Sequence, residues 1–158
     1  MDFTALLGMS FVCALGAMSP GPSLAVVLRN TISGGRSQGV LTGIGHGIGF
    51  TIYAFLAVTG LSAILVANES AFTFLQWSGA VILLWLSYNM LTYQPSDKPD
   101  EHPNSGRRGF AEGFMISFLN PKILVFLVAV FSQFIDPNMP SSDRIVMAIV
   151  AGLIDTIW

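Results

Sequence analysis

The sequence is poor in charge and in cysteine. Charged residues make up only 10% of its 158 residues and hydrophobic residues 53%, and the mean hydropathy is +0.67. Soluble domains carry about 25% charged residues, so this composition predicts a membrane protein. Cys13 is the only cysteine, which excludes an internal disulfide and a cysteine-based metal cluster. The net charge of −2 gives no indication of a nucleic-acid partner.

The components of a catalytic or cofactor site are missing as well. The sequence has no metal-ligand cluster, no nucleophile and base pair, and no ATP-binding motif. The glycine-rich run GIGHGIG at residues 43–49 lies inside an apolar segment with no strand before it, which excludes a dinucleotide-binding turn. We therefore predict a protein that is not an enzyme and needs no cofactor. Any transport would use a gradient or be passive.

Long apolar segments dominate what is present. About 20 apolar residues cross the hydrocarbon layer, and a helix satisfies its own backbone there. We predict an all-α membrane protein, a polytopic bundle of five spans of which the fifth is incomplete: residues 3–28, 39–67, 71–91, 110–135 and 144–158.

The spans form one transmembrane domain at residues 1–158, divided by a polar, proline-rich stretch at residues 92–109. Such a composition is typical of a linker, here between a first half at residues 1–91 and a second half at residues 110–158. The positive-inside rule places the loops richest in Lys and Arg in the cytoplasm. The loops after spans one and three hold most of them, so we expect the linker to be cytoplasmic and the N-terminus to face outside.

The first span is interrupted by SPGP at residues 19–22. Pro20 and Pro22 have no backbone N–H, so we expect free carbonyl groups at Gly16 and Met18. Beyond the break, Pro20 or Pro22 suits the first turn of a new half-helix, and Ser19 is a candidate cap. The free amides of such a half-helix could receive an anion such as a carboxylate. A proline kink that only shapes packing is the alternative.

The same kind of interruption recurs in span four. The segment FLNPKILVFL at residues 118–127 carries Asn120, Pro121 and Lys122 at a similar depth. A lysine at mid-membrane is costly unless it faces a cavity or a partner, so Lys122 is a candidate site residue. The alternative for Lys122 is snorkelling to the interface.

A second correspondence aligns GIGHGIGF at residues 43–50 with AGLIDTIW at residues 151–158, which sets His46 opposite Asp155. Interrupted segments at matching positions of two inverted halves point to a transporter's central site, so we predict a 3+3 inverted repeat. His46 can exchange a proton near neutral pH, or it can be structural. Asp155 could pair with Lys122 or carry a proton.

Gly39, Gly43 and Gly47 lie four residues apart and predict a close helix-packing strip. The strip is also compatible with a homo-oligomer.

Three features occur together in this sequence: SPGP, the glycine-rich second span, and FLNPKILVFLVAVFSQFID at residues 118–136 with an aspartate in the span that follows. Together they resemble the LysE/RhtB family of bacterial inner-membrane amino-acid exporters. The resemblance implies a six-helix efflux protein for amino acids such as threonine, homoserine, leucine or lysine, driven by the proton-motive force. Its partners would be a small amino acid and the lipid bilayer. Pro20, Gly21 and Pro22 match the first family motif.

Asn120, Pro121 and Lys122 match the second motif, and Asp155 matches the acid of span five. Exporters of basic amino acids carry an aspartate at the position of His46, which favours a neutral substrate here. The family's sixth helix has no counterpart, so the chain is a fragment or a natural truncation.

We expect a zwitterion between the two broken helices, with Ser19 to Pro22 receiving its carboxylate, Asn120 and free carbonyls its ammonium, and Asp155 or His46 exchanging a proton. A divalent-cation exporter and a membrane subunit that does not transport are the alternatives.

Overall fold

The computed structural model describes residues 2–71, 73–74, 77–78, 81, 84, 106–136 and 138–158. Every regular element in these ranges is a helix, which confirms the predicted all-α class. The five helices with defined bounds are α1 (Phe3–Ala17), α2 (Pro22–Ala67), α3 (Gly106–Phe118), α4 (Pro121–Phe131) and α5 (Ser141–Ile157).

Two short breaks interrupt the predicted spans one and four. The first break (residues 18–21) separates α1 from α2, and the second break (residues 119–120) separates α3 from α4. Pro22 and Pro121 each lie in the first turn of the helix that follows, where the missing N–H costs no intrahelical bond. At the second break the helices Gly109–Phe118 and Lys122–Phe131 meet at 56°. Both predicted interruptions are confirmed.

The helix α2 turns back on itself at Gly35. The Asn30 Nδ2 group donates to Thr42 Oγ1 at 3.0 Å across 12 residues, whereas a straight helix would separate the two residues by about 18 Å. Gly35 has φ 76° and ψ 178°, a left-handed conformation that favours glycine. This residue divides α2 into a first arm (residues 22–34) and a second arm (residues 36–67). The loop expected between spans one and two is therefore reduced to one residue.

Other element bounds differ from the prediction by a few residues. Asn68 ends α2, in agreement with a second span that closes at residue 67. The helix α3 begins at Gly106, inside the predicted linker, and α5 begins at Ser141, because the extended Pro140 caps its first turn. Most of the predicted third span and residues 92–105 of the linker lie outside the described residues.

By length and composition, Pro22–Leu61 is the one helical segment within the described ranges that is long and apolar enough to cross a membrane, and it includes the reversal at Gly35. The bent pair Gly109–Phe118 and Lys122–Phe131 adds a second segment when its two helices are counted as one span. The helix α1 is apolar but shorter. Since α1 continues into the first arm of α2 through the first break, the predicted first span corresponds to these two pieces together.

The second arm of α2 approaches α3 backbone to backbone. A methyl group on Gly45 would overlap the carbonyl oxygen of Phe110, and one on Gly113 would overlap the carbonyl oxygen of Thr42. Glycine on both helices therefore permits a contact that any Cβ would push apart. Buried apolar side chains fill the space between the helices, the largest fully buried ones being Phe131, Met9, Leu127 and Met147.

The glycines predicted to form one packing strip have three different surroundings. Gly47 packs against Thr156 of α5, and Gly39 packs against Thr31 of the first arm across the turn. A methyl group on Gly43 would meet nothing within 4 Å. The expectation of one continuous strip is thus wrong at Gly43, because the chain reversal at Gly35 and the approach of α5 leave open space between the two contacts.

Candidate functional site

Backbone groups make the local hydrogen bonds of the first break. Ser19 N donates to the Gly16 carbonyl at 3.1 Å, so that carbonyl is not free as expected. Gly21, in an extended conformation, caps α2 without a side-chain hydrogen bond. The expectation that Ser19 caps this helix is therefore wrong, because Ser19 lies two residues too early in the chain.

The absence of a side-chain cap matters because the first amides of a helix have no intrahelical acceptor. Pro22 has no N–H, and the amides of Ser23 and Leu24 lie in the first turn of α2. Both residues line the main cavity described below. The start of α2 therefore offers backbone donors and the positive end of a helix dipole to that cavity.

The second break is capped by its own side chain. Asn120 Oδ1 accepts the backbone N–H of Lys122 at 3.0 Å, with Pro121 at the first helical position. The Asn120 backbone carbonyl accepts the amides of Ile123 and Leu124 at 3.1 and 3.4 Å. This break therefore keeps its acceptors for α4, and what it presents to its surroundings is the side chain of Lys122.

The two breaks face each other. Lys122 Nζ donates to Ser19 Oγ at 3.1 Å. A Cβ on Gly21 would lie 3.5 Å from the same ammonium group, and a methyl group on Gly16 would overlap the Phe126 ring. The small residues before and within the first break therefore let α4 bring Lys122 to the start of α2.

His46 and Asp155 form a buried pair. His46 Nδ1 and Asp155 Oδ2 share a hydrogen bond of 2.7 Å, and each side chain is only 10% exposed. Asp155 thus pairs with His46, and not with Lys122, which was one of the possibilities left by the sequence. His46 Nε2 is buried and has no partner among the described residues. The pair joins the second arm of α2 to α5.

One cavity of about 490 Å³ brings these groups together. Its size falls within the range of small-molecule sites, roughly 300–1,000 Å³. The predicted site residues in its lining are Ser19, Gly21, Pro22, Gly39, Gly43, His46, Asn120, Lys122 and Asp155. Among the predicted site residues whose surroundings the structure describes, Pro20 and Gly47 do not line this cavity.

The lining also contains residues that the sequence did not single out. Phe50 and Phe126 add apolar surface to the cavity. Arg36, which follows the turn at Gly35, and Trp158, which follows the last residue of α5, also line it. Arg36 served only as a topology signal in the sequence. Its spacing of three and seven residues from Gly39 and Gly43 is the pattern that could have placed it on the same helix face.

A second polar cluster was missed entirely. Arg29 Nη2 donates to Glu112 Oε2 at 2.5 Å, and Asn30 Nδ2 donates to the same oxygen at 3.0 Å and to Thr42 Oγ1 at 3.0 Å. Asn30 is fully buried. A single carboxylate from α3 therefore binds the first arm of α2, and Asn30 extends this contact to the second arm.

The described residues contain no group of three or more His, Cys, Asp or Glu side chains that could hold a metal ion. The charged and polar groups that line the main cavity include the Lys122 ammonium, the Arg36 guanidinium, the Asp155 carboxylate, the His46 imidazole and the first amides of α2. Such a set suits a ligand that carries both charges.

The comparisons with known proteins identify relatives among bacterial membrane and efflux proteins. The chain is 31% identical over 138 residues to the leucine efflux protein of Klebsiella pneumoniae, covering 85% of this chain and 63% of the relative. It is 28% identical to the uncharacterized membrane protein YahN of Escherichia coli, covering 89% and 65%, and 29% identical to an uncharacterized membrane protein of Vibrio cholerae, covering 99% and 78%.

The chain thus spans less than two thirds of the length of the Escherichia coli and Klebsiella proteins. No solved structure matches it. The model of the family described as LysE type translocator matches residues 14–158, which cover most of the chain and both breaks. The chain belongs to the LysE type translocator family.

Proposed function

We propose that this chain exports neutral amino acids across the bacterial inner membrane and binds them as zwitterions in the main cavity. The proposal rests on one observation, which is that Lys122, the uncapped start of α2 and Asp155 all line the same cavity. A zwitterion needs a cationic and an anionic partner within one site, and this lining supplies both.

The substrate carboxylate binds at the first break. The amides of Ser23 and Leu24 and the ammonium group of Lys122 provide donors there, and the helix dipole has the same sign as the ammonium group. Charge-assisted hydrogen bonds of this kind are about twice as strong as neutral ones. Ser19, which accepts a hydrogen bond from Lys122, holds that ammonium group in place for the substrate.

The substrate ammonium binds at Asp155. This assignment replaces Asn120, whose side-chain oxygen already accepts the Lys122 amide. Asp155 uses Oδ2 for His46, which leaves Oδ1 outside that pair. The His46–Asp155 pair takes up a proton from the periplasmic side when the substrate ammonium leaves and releases it to the cytoplasmic side when the next ammonium binds, which couples export to the proton-motive force.

The side chain of the substrate is neutral. Asp155 is the only acid among the described lining residues and is already paired, so nothing remains to neutralise a cationic side chain. The apolar part of the lining, which includes Phe50, Ile123 and Phe126, suits an aliphatic group. The Klebsiella relative named leucine efflux protein supports this choice of substrate class.

The topology follows from the sequence prediction. The N-terminus faces the periplasm, and the end of the first arm of α2 that carries Arg29 and the start of α3 that carries Glu112 face the cytoplasm. Export then proceeds from the Arg29 side towards the N-terminus as the two halves move relative to each other.

Efflux from bacteria that lack their own amino-acid exporters tests the proposal. The cells are loaded with leucine-containing or lysine-containing dipeptides, and released amino acids are measured with and without an uncoupler. We expect leucine release that the uncoupler stops, and no lysine release. A chain with Asp155→Asn, which inserts but cannot bind the ammonium as an ion pair, is the matched control. Lysine release, or leucine release that Asp155→Asn leaves unchanged, would reject the proposed site.

A further inference from the structure

A second cavity of about 470 Å³ lies between the first arm of α2 and α3. It shares two lining residues, Pro22 and Asn120, with the main cavity, and its far end is formed by Arg29 and Glu112. The seven residues from Pro22 to Arg29 correspond to about 10 Å of helix. The second cavity is therefore a groove that begins at the Arg29–Glu112 ion pair and ends at the two breaks.

Both walls of this groove follow one helix face. Val26 lies between Pro22 and Arg29 on the first arm, at spacings of four and three residues. On α3 the spacing from Glu112 through Met115 and Ile116 is again three and four residues. The walls between the ion pair and the breaks are thus apolar, with a charge of each sign at one end.

The ion pair itself is accessible. The side chains of Arg29 and Glu112 are 27% and 33% exposed. Charged groups within a membrane domain are costly against hydrocarbon, so they face water, a partner or a ligand. The contacts of Arg29 with the described residues use Nε and Nη2, which leaves the Nη1 donors for a further acceptor.

We propose that the second cavity is a separate binding site for a neutral amino acid, in which Arg29 binds the carboxylate, Glu112 binds the ammonium and the apolar walls take the side chain. The choice of ligand rests on the function proposed above. A lipid headgroup phosphate would also bind Arg29, but the adjacent Glu112 carboxylate opposes it. The zwitterion instead matches both charges and continues along the groove to the main cavity.

Protection of an introduced cysteine tests this site in the purified full chain. Met115 is 50% exposed in the groove wall, so Met115→Cys provides a reporter for a maleimide. At a leucine concentration about ten times its Kd, occupancy predicts about a tenfold slower reaction. We expect no protection from 4-methylpentanoate, which lacks the ammonium, or from isoamylamine, which lacks the carboxylate, at the same concentration.

Three controls separate this site from others. The native Cys13 is only 3% exposed, and the unaltered chain gives its background reaction. Ser142→Cys, at an exposed position outside both cavities, reports general effects of leucine and should not be protected. Glu112→Gln keeps an oxygen for Arg29 and Asn30 and so preserves the fold, but it should abolish protection of Met115→Cys.

The decisive background is Lys122→Gln, which removes the cation of the main cavity. Protection of Met115→Cys that persists in this background supports a separate second site. Protection that is lost with Lys122→Gln, that is equal for all three compounds, or that is absent would overturn the proposal. Failure of the proposed function can be distinguished from failure of the second site, because it is seen as absent leucine efflux and does not depend on whether Met115→Cys is protected.

Discussion

The two breaks share a sequence pattern but offer different chemistry. Each consists of a polar residue, a proline and an apolar half-helix. At the second break Asn120 caps its own helix and Lys122 points to the first break. At the first break the cap is Gly21, which has no side chain, and the first amides of α2 stay available.

This difference shows how two similar motifs can contribute different groups to the proposed binding site. A side-chain cap satisfies the helix start and takes its amides out of use, whereas a glycine cap leaves them for a ligand. The second break therefore contributes a charged side chain, and the first contributes backbone donors. The Ser19–Lys122 hydrogen bond joins the two contributions.

The largest effect is expected at the second break, from removal of its charge. Lys122→Gln loses a charge-assisted hydrogen bond worth about 1.5–3 kcal/mol, which corresponds to leucine binding that is about 10- to 100-fold weaker. Titration of the purified chain with leucine measures the change in Kd. Lys122→Arg keeps the charge and should lose less, and an unchanged Kd in Lys122→Gln would remove this residue from the site.

A second prediction concerns the packing of the second arm of α2, which follows the first break, against α3, which precedes the second break. The Gly45 and Gly113 contacts hold this arm against α3. Gly45→Ala places a methyl group on the Phe110 carbonyl oxygen and should lower the free energy of unfolding by about 1–3 kcal/mol. Thermal unfolding in detergent measures the loss.

Gly43→Ala is the matched control for that substitution. Gly43 is two residues away on the same helix, and its new methyl group would meet nothing within 4 Å. Inside a helix, alanine is also more favourable than glycine by about 0.5–1 kcal/mol. Gly43→Ala should therefore leave the unfolding temperature unchanged or raise it. Equal losses in both variants would mean that α2 and α3 do not meet at Gly45.

The interruptions could be predicted from the sequence, because proline removes an amide wherever it lies in a helix. Lys122, His46 and Asp155 could also be identified as candidate site residues from the sequence, since ionisable groups in apolar spans are rare. The partner of each group could not be predicted. Spacing along one helix gives a face, but it does not give the depth at which another helix crosses it, so Lys122 was the partner suggested for Asp155 and the pairing with His46 was not predicted.

The reversal at Gly35 and the Glu112 cluster escaped prediction for related reasons. A GG pair inside a helical stretch looks the same whether the chain bends slightly or turns back, and the Asn30–Thr42 contact is visible only once it has turned. Glu112 lies at the start of an apolar span, where an acid is typical of a solvated helix end. Its role depends on Arg29, which is 83 residues away in the chain.

The third prediction tests whether the Asn120 cap is what distinguishes the second break. Asn120→Ala removes the acceptor of the Lys122 amide and should cost about 1 kcal/mol of stability. Asn120→Ser retains a capping oxygen and should recover most of it, as thermal unfolding of both variants would measure. The first break has no side-chain cap to lose, so Gly21→Ala, with only an ordinary contact to Lys122 Nζ, should change stability less than Asn120→Ala. A larger loss at Gly21 would reverse the comparison.

The smallest effect is expected where the two breaks touch. Ser19→Ala removes one acceptor from the Lys122 ammonium and should cost about 0.5–1.5 kcal/mol. Because Lys122 also binds other groups in the proposed mechanism, the contact is best isolated by a double-mutant cycle with Lys122→Gln, measured by unfolding in detergent. If the hydrogen bond joins the breaks, Ser19→Ala should have little effect once Lys122 is replaced. Strict additivity of the two changes would mean that each break holds its shape alone, and that Lys122 faces the cavity without help from Ser19.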